Sequence, residues 1–241
     1  MYKYLPIDTP QVHHHQKSLL TQSSSGGAHA ELSSGRSASQ VVANSLPASI
    51  LILLDIYFSK HSVSFSQGFT SKDLLPIGII ASYAAATADT LSSELGILSE
   101  TSPILITQPW RQVPKGTNGG VTSAGLLAGF FGGALISLVS LFLVPFSPSA
   151  SKFMFFASIT LAGFFGTVLD SVLGAVVQAT VEDKSSGRVV EGENGKRVLV
   201  SEGGTRVQRG GVDWLNNNGV NFAMAAGTGV VAMGVAKLFG Q

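Results

Sequence analysis

The chain has 241 residues, of which 45% are hydrophobic and 12% charged, and its formal net charge is +1. Soluble domains carry about 25% charged residues, so the composition excludes an ordinary soluble protein and predicts an integral membrane protein. The small net charge gives no basic surface for nucleic acid. The sequence contains no cysteine, which excludes disulfides, thiolate metal sites and cysteine nucleophiles.

The first segment, residues 1–34, is polar and rich in Ser and Gly, so we predict a disordered arm. Residues 35–241 read as a single transmembrane domain with five apolar stretches, close to the length of about 20 residues that a span requires. We therefore predict an all-α fold, a polytopic bundle of about five transmembrane helices. Their approximate ranges are 41–58, 74–91, 122–146, 153–180 and 217–239.

Five spans put the arm and the loops 92–120 and 181–216 on the same side of the membrane. That side holds 11 of the 15 Lys and Arg residues, and such loops are retained in the cytoplasm during insertion. We therefore predict that both loops are cytoplasmic. In the second loop, the segments GRVV and KRVLV flank EGENG, a pattern that favours a small β-hairpin; a flexible polar loop is the alternative.

Polar residues interrupt the apolar stretches close to the predicted cytoplasmic side. Asp89 ends the second stretch and is followed by Glu94, while Asp170 lies inside the fourth. Ionisable groups at membrane depth cost a few kcal/mol each, about 2.5–3.5 on insertion scales, unless they have a partner or a water-filled cavity. Asparagines open several spans from the same side, among them Asn44 and Asn221. These residues predict a polar site between the helices.

The chain also contains a weak two-fold internal repeat, at about 74–121 and 153–221. Asp89-Thr90 aligns with Asp170-Ser171, and TNGGV at 117–121 is echoed by NNGVN at 217–221. Each half then reads as a helix with an Asp-Thr or Asp-Ser pair, a polar loop, and an Asn-Gly pair that opens the next helix. Duplicated halves with paired polar motifs are common in membrane transporters.

The segment PKGTNGG at 114–120 combines a lysine with flexible backbone before a helix. A helix N-terminus offers unpaired N–H donors and partial positive charge, which suits phosphate. Carboxylates suit Mg²⁺, which takes one or two of them together with phosphate oxygens, and these parts together are typical of phosphoryl transfer. The alternative is a turn whose glycines only cap the neighbouring helices.

Four segments resemble the transmembrane protein 19 family of integral membrane proteins, which includes the phytyl-phosphate kinases of plants and cyanobacteria. They are ADTLSSELGILSETSPILIT, VPKGTNGGVTSAGLLAG, GTVLDSVLGAVVQ and NNNGVN, and GRSASQVVANS is similar to a further family segment. The sequence departs from the family at Leu91 and Ser92, where Trp-Ala is frequent. Family members also have further apolar spans before the QVVAN segment, where this sequence has the polar arm.

The resemblance implies transfer of a phosphoryl group from a nucleoside triphosphate to a prenyl monophosphate, with Mg²⁺ as cofactor and the lipid bilayer as surroundings. Asp89 and Asp170 would hold the metal and, with Glu94, form the catalytic set. The residues assigned to substrate binding are Lys115, Gly116, Thr117, Asn118, Gly119, Gly120, Asn218 and Asn221.

Three classes of function remain open on the sequence. A kinase-like enzyme needs its polar groups at one face of the membrane, whereas a carrier for an anionic substrate needs them at the midplane. The third is a non-catalytic, truncated family member. The endoplasmic reticulum or another internal membrane is the expected location. The substrate, the nucleotide donor and the oligomeric state do not follow from the sequence.

Overall fold

The computed structural model describes residues 38–58, 73–146, 150–190, 192, 197, 198, 200 and 203–239. The predicted disordered arm, residues 1–34, lies outside the described residues. Within them, five helices are long and apolar enough to cross a membrane. They are α1 (Ala38–Phe58), α2 (Leu74–Gly96), α3 (Ser123–Leu143), α4 (Lys152–Val177) and α5 (Asn217–Phe239). The predicted multi-pass helical fold is confirmed, with helix ends within five residues of the expected ones.

The centre of the bundle is α2, which packs against each of the other four helices. Most of its buried residues are small, including Ala81, Ala84, Ala85 and Ala88. Small side chains let helix backbones approach closely, which is how membrane helices gain packing energy when lipid supplies no hydrophobic driving force between them. The alanine-rich sequence of this span therefore selects it as the shared packing surface.

Glycines of the neighbouring helices complete these contacts. A Cβ on Gly132 of α3 would lie 2.8 Å from the Cα of Ala88, and one on Gly163 of α4 would lie 3.1 Å from the carbonyl of Ala84. Further along α4, Gly166 faces Ala85, the residue after Ala84 on α2. Residue numbers rise together on α2 and α4, so the two helices run parallel.

Two small antiparallel sheets lie between helices. The first follows α2 and contains β1 (Ile104–Leu105), β2 (Gln108–Gln112) and β3 (Gly120–Val121), in the order β2-β1-β3. The second follows α4 and contains β4 (Thr180–Asp183), β5 (Arg188–Val190) and β6 (Arg206–Gly210), in the order β5-β4-β6. We call the end of the bundle that carries both sheets the sheet side.

The predicted small β-hairpin in the 181–216 loop is present in the second sheet, but it is formed by β4 and β5 and not by GRVV with KRVLV. Its turn is fixed by Asp183, whose carboxylate accepts hydrogen bonds from the amide and the hydroxyl of Ser185 at 2.8 and 2.6 Å. Both bonds lower the pKa of Asp183, and the bond from the hydroxyl has the larger effect. The pairing differs from the expected one, because GRVV pairs with Thr180–Asp183. Val198 and Val200 of KRVLV are not in a strand, and residues 196 and 199 lie outside the described part of the chain.

The two halves of the bundle share a topology. In each, a helix is followed by a three-stranded antiparallel sheet whose first strand is central, and then by a second helix. Because α2 and α4 are parallel, a duplication here would relate the halves by an axis along the membrane normal. The duplication itself stays a prediction. The strand order that the two sheets share is a structural similarity between the halves.

Replacing Gly163 by Ala should destabilise the bundle by about 1–3 kcal/mol, because an added methyl group overpacks a tight contact. The new Cβ would lie 2.8 Å from the Cα of Gly133 and close to the carbonyl of Ala84, which are backbone atoms with little freedom to move. Gly234→Ala on α5 is the matched control, because that position faces open space. Thermal unfolding in detergent measures both, and equal midpoints would contradict the packing described above.

Candidate functional site

A cavity of about 260 Å³ opens within the described residues on the sheet side of the bundle. Its walls are the sheet-side ends of α2, α3 and α4, the glycine loop (residues 114–120) and the segment 213–217 that leads into α5. Both halves of the chain therefore contribute to one space. The loops 92–120 and 181–216 lie on the same side, as the count of five spans predicted.

Asp89 and Asp170 both line this cavity, and their carboxyl groups are close enough to share a hydrogen bond. We call them the carboxylate pair. Each lies seven residues before the end of its helix, about 10 Å at 1.5 Å per residue. The parallel packing of α2 and α4 is what brings the two to the same depth. The hydroxyl of Thr167, one helical turn before Asp170, donates to Oδ1 of Asp89 at 3.4 Å.

Asn221 approaches the pair from α5. In the amide orientation that satisfies its surroundings, Nδ2 donates to Oδ1 of Asp170 at 3.2 Å and to the carbonyl of Asn217 at 3.3 Å. The amide oxygen lies 3.1 Å from the side-chain amide of Asn44, on α1, which donates an N–H to it once its own amide is turned in the same way. A polar chain of Asn44, Asn221, Asp170, Asp89 and Thr167 thus connects α1, α5, α4 and α2.

The glycine loop forms one wall of the cavity and lies against α4. Gly119 has a φ of +75°, and an added Cβ there would collide with Ala175 and with the carbonyl of Ser171. Asn118 fixes the same loop, because its side chain donates to the carbonyl of Ala179 at 2.9 Å. Its backbone N–H also donates to the hydroxyl of Thr180 at 3.2 Å. Positive φ and close approach together explain a glycine at this position.

Several groups assigned to phosphate binding already have partners inside the protein. The ammonium group of Lys115 donates to the carbonyls of Ile97 and Ser99, just after α2. The backbone amides of Thr117 and Gly120 donate within the glycine loop. Lys115 nevertheless lines the cavity, so an anion there would compete with two carbonyls for its ammonium group.

Three of the residues assigned from the sequence do not line the cavity. Glu94 lies on α2 among the residues near its end, but it is not part of the wall. The lining residue at the start of α5 is Asn217, not Asn218. Asn221 is buried, with 7% of its surface exposed, and contacts Asp170 from behind.

A family model described as "Integral membrane protein DUF92" matches residues 9–229. The chain belongs to this family. The suspected resemblance to the transmembrane protein 19 family is thereby confirmed. No solved structure matches the chain.

The curated relatives match different shares of this DUF92 chain. Protein PGR of Arabidopsis thaliana is 38% identical over 76% of the chain and 63% of the relative. A membrane protein of Methanocaldococcus jannaschii is 42% identical over 42% of the chain and 40% of the relative. Protein VTE6, chloroplastic, of Arabidopsis thaliana is 27% identical over 66% of the chain and 44% of the relative. The matches thus span less than two thirds of each relative's length.

The DUF92 cavity also has polar lining residues that sequence reasoning missed. They include Ser92, Thr167, Gln178 and Asn216, together with Arg197, which forms an ion pair with Asp213 at 3.2 Å. Thr167 had a usable signal, because a polar residue three positions before Asp170 falls on the same helix face. Ser92 had the same signal, three positions after Asp89 on α2. Gln178, Asn216 and Arg197 depend on loop geometry that a single sequence does not encode in a periodic pattern.

The carboxylate pair fits Mg²⁺ only together with a ligand. Within the described parts of the chain, no group of three or more His, Cys, Asp and Glu side chains is placed to hold a metal ion. Mg²⁺ is commonly held by one or two carboxylates, with phosphate oxygens and water completing its coordination. Two aspartates in a cavity large enough for phosphate and water match that pattern.

Replacing Gly119 by Ala should displace the glycine loop and lower stability more than the same change at Gly203. Both glycines have positive φ, +75° and +78°, so strain of about 1 kcal/mol is common to the two variants. Only Gly119 faces neighbouring atoms that an added Cβ would strike, which should add about 1–3 kcal/mol. Thermal unfolding compares them, and equal losses would show that the loop does not pack against α4.

Proposed function

We propose that this protein is a kinase-like membrane enzyme that transfers a phosphoryl group from a nucleoside triphosphate to a prenyl monophosphate. The observation that carries the proposal is the carboxylate pair of Asp89 and Asp170, which lies inside an apolar bundle and faces a polar cavity. Carboxylates at membrane depth mark functional sites by default. The transmembrane protein 19 family, which the sequence resembles, includes phytyl-phosphate kinases, and this resemblance supplies the substrate class.

Asp89 and Asp170 are the residues that would hold Mg²⁺ against the phosphates. When bound, the ion neutralises charge that develops on the transferring group. Thr167 orients Asp89 through its hydroxyl. Substrate that fills the cavity would displace water from around the pair, which protects a phosphoryl group from hydrolysis. Lys115 would approach a phosphate once it leaves the carbonyls of Ile97 and Ser99.

The membrane position suits an acceptor with an isoprenoid tail. The tail can lie in the bilayer, between or beside the helices, while the phosphate enters the cavity. The sheet side would face the cytoplasm if the surplus of Lys and Arg sets the orientation, and cytosolic nucleotide would then enter from the loops. The endoplasmic reticulum or another internal membrane stays the proposed location; the relative VTE6 is named as chloroplastic.

A cavity on the sheet side favours an enzyme over a carrier. Its walls come from the sheet-side helix ends and from the loops of that side. A carrier that alternates access would place its site at the midplane, between two equivalent gates. The activity assay below separates the two, because a carrier leaves its substrate chemically unchanged.

Purified protein with Mg²⁺ in lipid should transfer label from the γ-phosphate of CTP, ATP, GTP or UTP to phytyl, geranylgeranyl or farnesyl monophosphate. We expect Asp89→Asn and Asp170→Asn each to lower the rate about 100-fold or more, the loss typical of removing a charged group that stabilises a transition state. Formation of labelled diphosphate is the measurement. Glu94→Gln, tested alongside, decides whether that residue contributes from outside the cavity wall.

Asp55→Asn is the matched control, because it makes the same substitution on α1 eleven residues beyond Asn44, about 16 Å along the helix axis. It should keep the activity of the parent protein. Absence of product from folded protein with every pairing of donor and acceptor would contradict the enzyme. Full activity in both aspartate variants would remove the carboxylate pair from the mechanism.

A further inference from the structure

Asn221 has a geometry that its proposed role in substrate binding does not explain. It is buried in the first turns of α5, with 7% of its surface exposed, and it lies behind Asp170. A side-chain amide has two N–H donors and one carbonyl acceptor. Here the donors point to Asp170 and to the carbonyl of Asn217, and the acceptor faces Asn44. All parts of the amide are engaged within the protein.

We propose that Asn221 is a positioning residue, which fixes the Asp170 carboxylate for a divalent cation and is itself fixed by Asn44. The inference rests on the metal role in the proposed function. Holding Oδ1 of Asp170 at 3.2 Å sets the rotation of the carboxylate. Asp170 also lines the cavity, so a carboxylate held in this way stays at the wall of the space where a cation and phosphate would lie.

Groups that orient a metal ligand matter nearly as much as the ligand. Loss of such a partner commonly weakens metal affinity about 10- to 100-fold. The amide of Asn221 acts on Asp170 much as the hydroxyl of Thr167 acts on Asp89 at 3.4 Å. Each member of the carboxylate pair therefore has its own neutral donor. Neutral donors orient a carboxylate without supplying a cation that would replace the metal.

Asn44 extends the arrangement to α1. This helix is the least buried of the five described helices, and large apolar side chains cover its outer face. Asn44 lies beside the buried Ala43 on the inner face, 3.1 Å from the Asn221 amide. The contact joins a peripheral helix to the carboxylate pair. Displacement of α1 would then change the cation site without touching a ligand.

Binding of Mn²⁺ alone, titrated by electron paramagnetic resonance on purified protein in lipid, tests the proposal without any need for turnover. We expect Asn221→Ala to weaken Mn²⁺ binding about 10-fold and Asn44→Ala to weaken it about 3-fold. The double variant should bind about as weakly as Asn221→Ala alone, since residues in one hydrogen-bonded chain are not additive. Thermal unfolding of each variant is recorded in parallel.

Ser82→Ala is the control for a general loosening of α5. It removes a buried hydrogen bond from the Ser82 hydroxyl to the carbonyl of Ala225, a contact between α2 and α5. It should lower the unfolding temperature and leave the Mn²⁺ affinity unchanged. An equal loss of affinity in Ser82→Ala would overturn the proposal, because packing alone would then explain the effect.

Unchanged Mn²⁺ affinity in Asn221→Ala, or a wild-type protein with no saturable Mn²⁺ site, would also overturn the positioning role. If Asn221→Ala fails to fold, Asn44→Ala decides, because it leaves Asn221 and Asp170 in place; wild-type affinity there contradicts the chain. The expected Mn²⁺ pattern without phosphoryl transfer would contradict the proposed function alone. Transfer activity with wild-type Mn²⁺ binding in Asn221→Ala would contradict the positioning role alone.

Discussion

Placing two carboxyl groups inside an apolar helix bundle is costly, and the arrangement of the helices reflects how that cost is met. An ionisable group in a transmembrane segment needs hydrogen-bond partners or contact with water. Asp89 has the hydroxyl of Thr167 and Asp170 has the amide of Asn221, while both face the cavity. The partners come from α4 and α5, so the helices must approach α2 closely for the pair to be satisfied.

The small residues of α2 make that approach possible. Alanines on α2 and glycines on α3 and α4 bring backbones together at the depth just below the carboxylate pair. Packing and the polar chain are therefore not independent features. A bulkier residue at one of the glycines would separate the helices, and the distance from Asp89 to Thr167 would grow with it. The high glycine content, 28 residues, thus has a direct connection to the candidate site.

The loops then convert a buried polar pair into an accessible cavity. The glycine loop packs against α4 through Gly119, and Asn118 donates to the carbonyl of Ala179 just after that helix. The second sheet contains the bidentate ion pair of Arg209 with Glu182, at 3.0 and 3.1 Å. Hydrogen bonding to Glu182 raises the pKa of Arg209. These contacts hold the described parts of the sheet side together around the opening of the cavity.

Length and apolar composition were sufficient to predict the spans, because a transmembrane helix has a required length and few alternatives. Asp89 and Asp170 could be picked out as candidate site residues for a similar reason, since a carboxylate in an apolar stretch is conspicuous. The first sheet was not predicted because β1 and β3 have only two residues each, too few for a periodic signal. The engagement of Lys115 by two carbonyls, and of Asn221 by Asp170 and Asn44, depends on distances between segments far apart in sequence. Composition and spacing do not contain those distances.

The most direct test of the account is a structure determined with Mg²⁺, a non-hydrolysable nucleoside triphosphate analogue and phytyl monophosphate. We predict that the phosphates and the ion lie between Asp89 and Asp170, with the nucleotide on the sheet side and the isoprenoid tail towards the bilayer. Ligands bound elsewhere, with the carboxylate pair contacting neither ion nor phosphate, would contradict it.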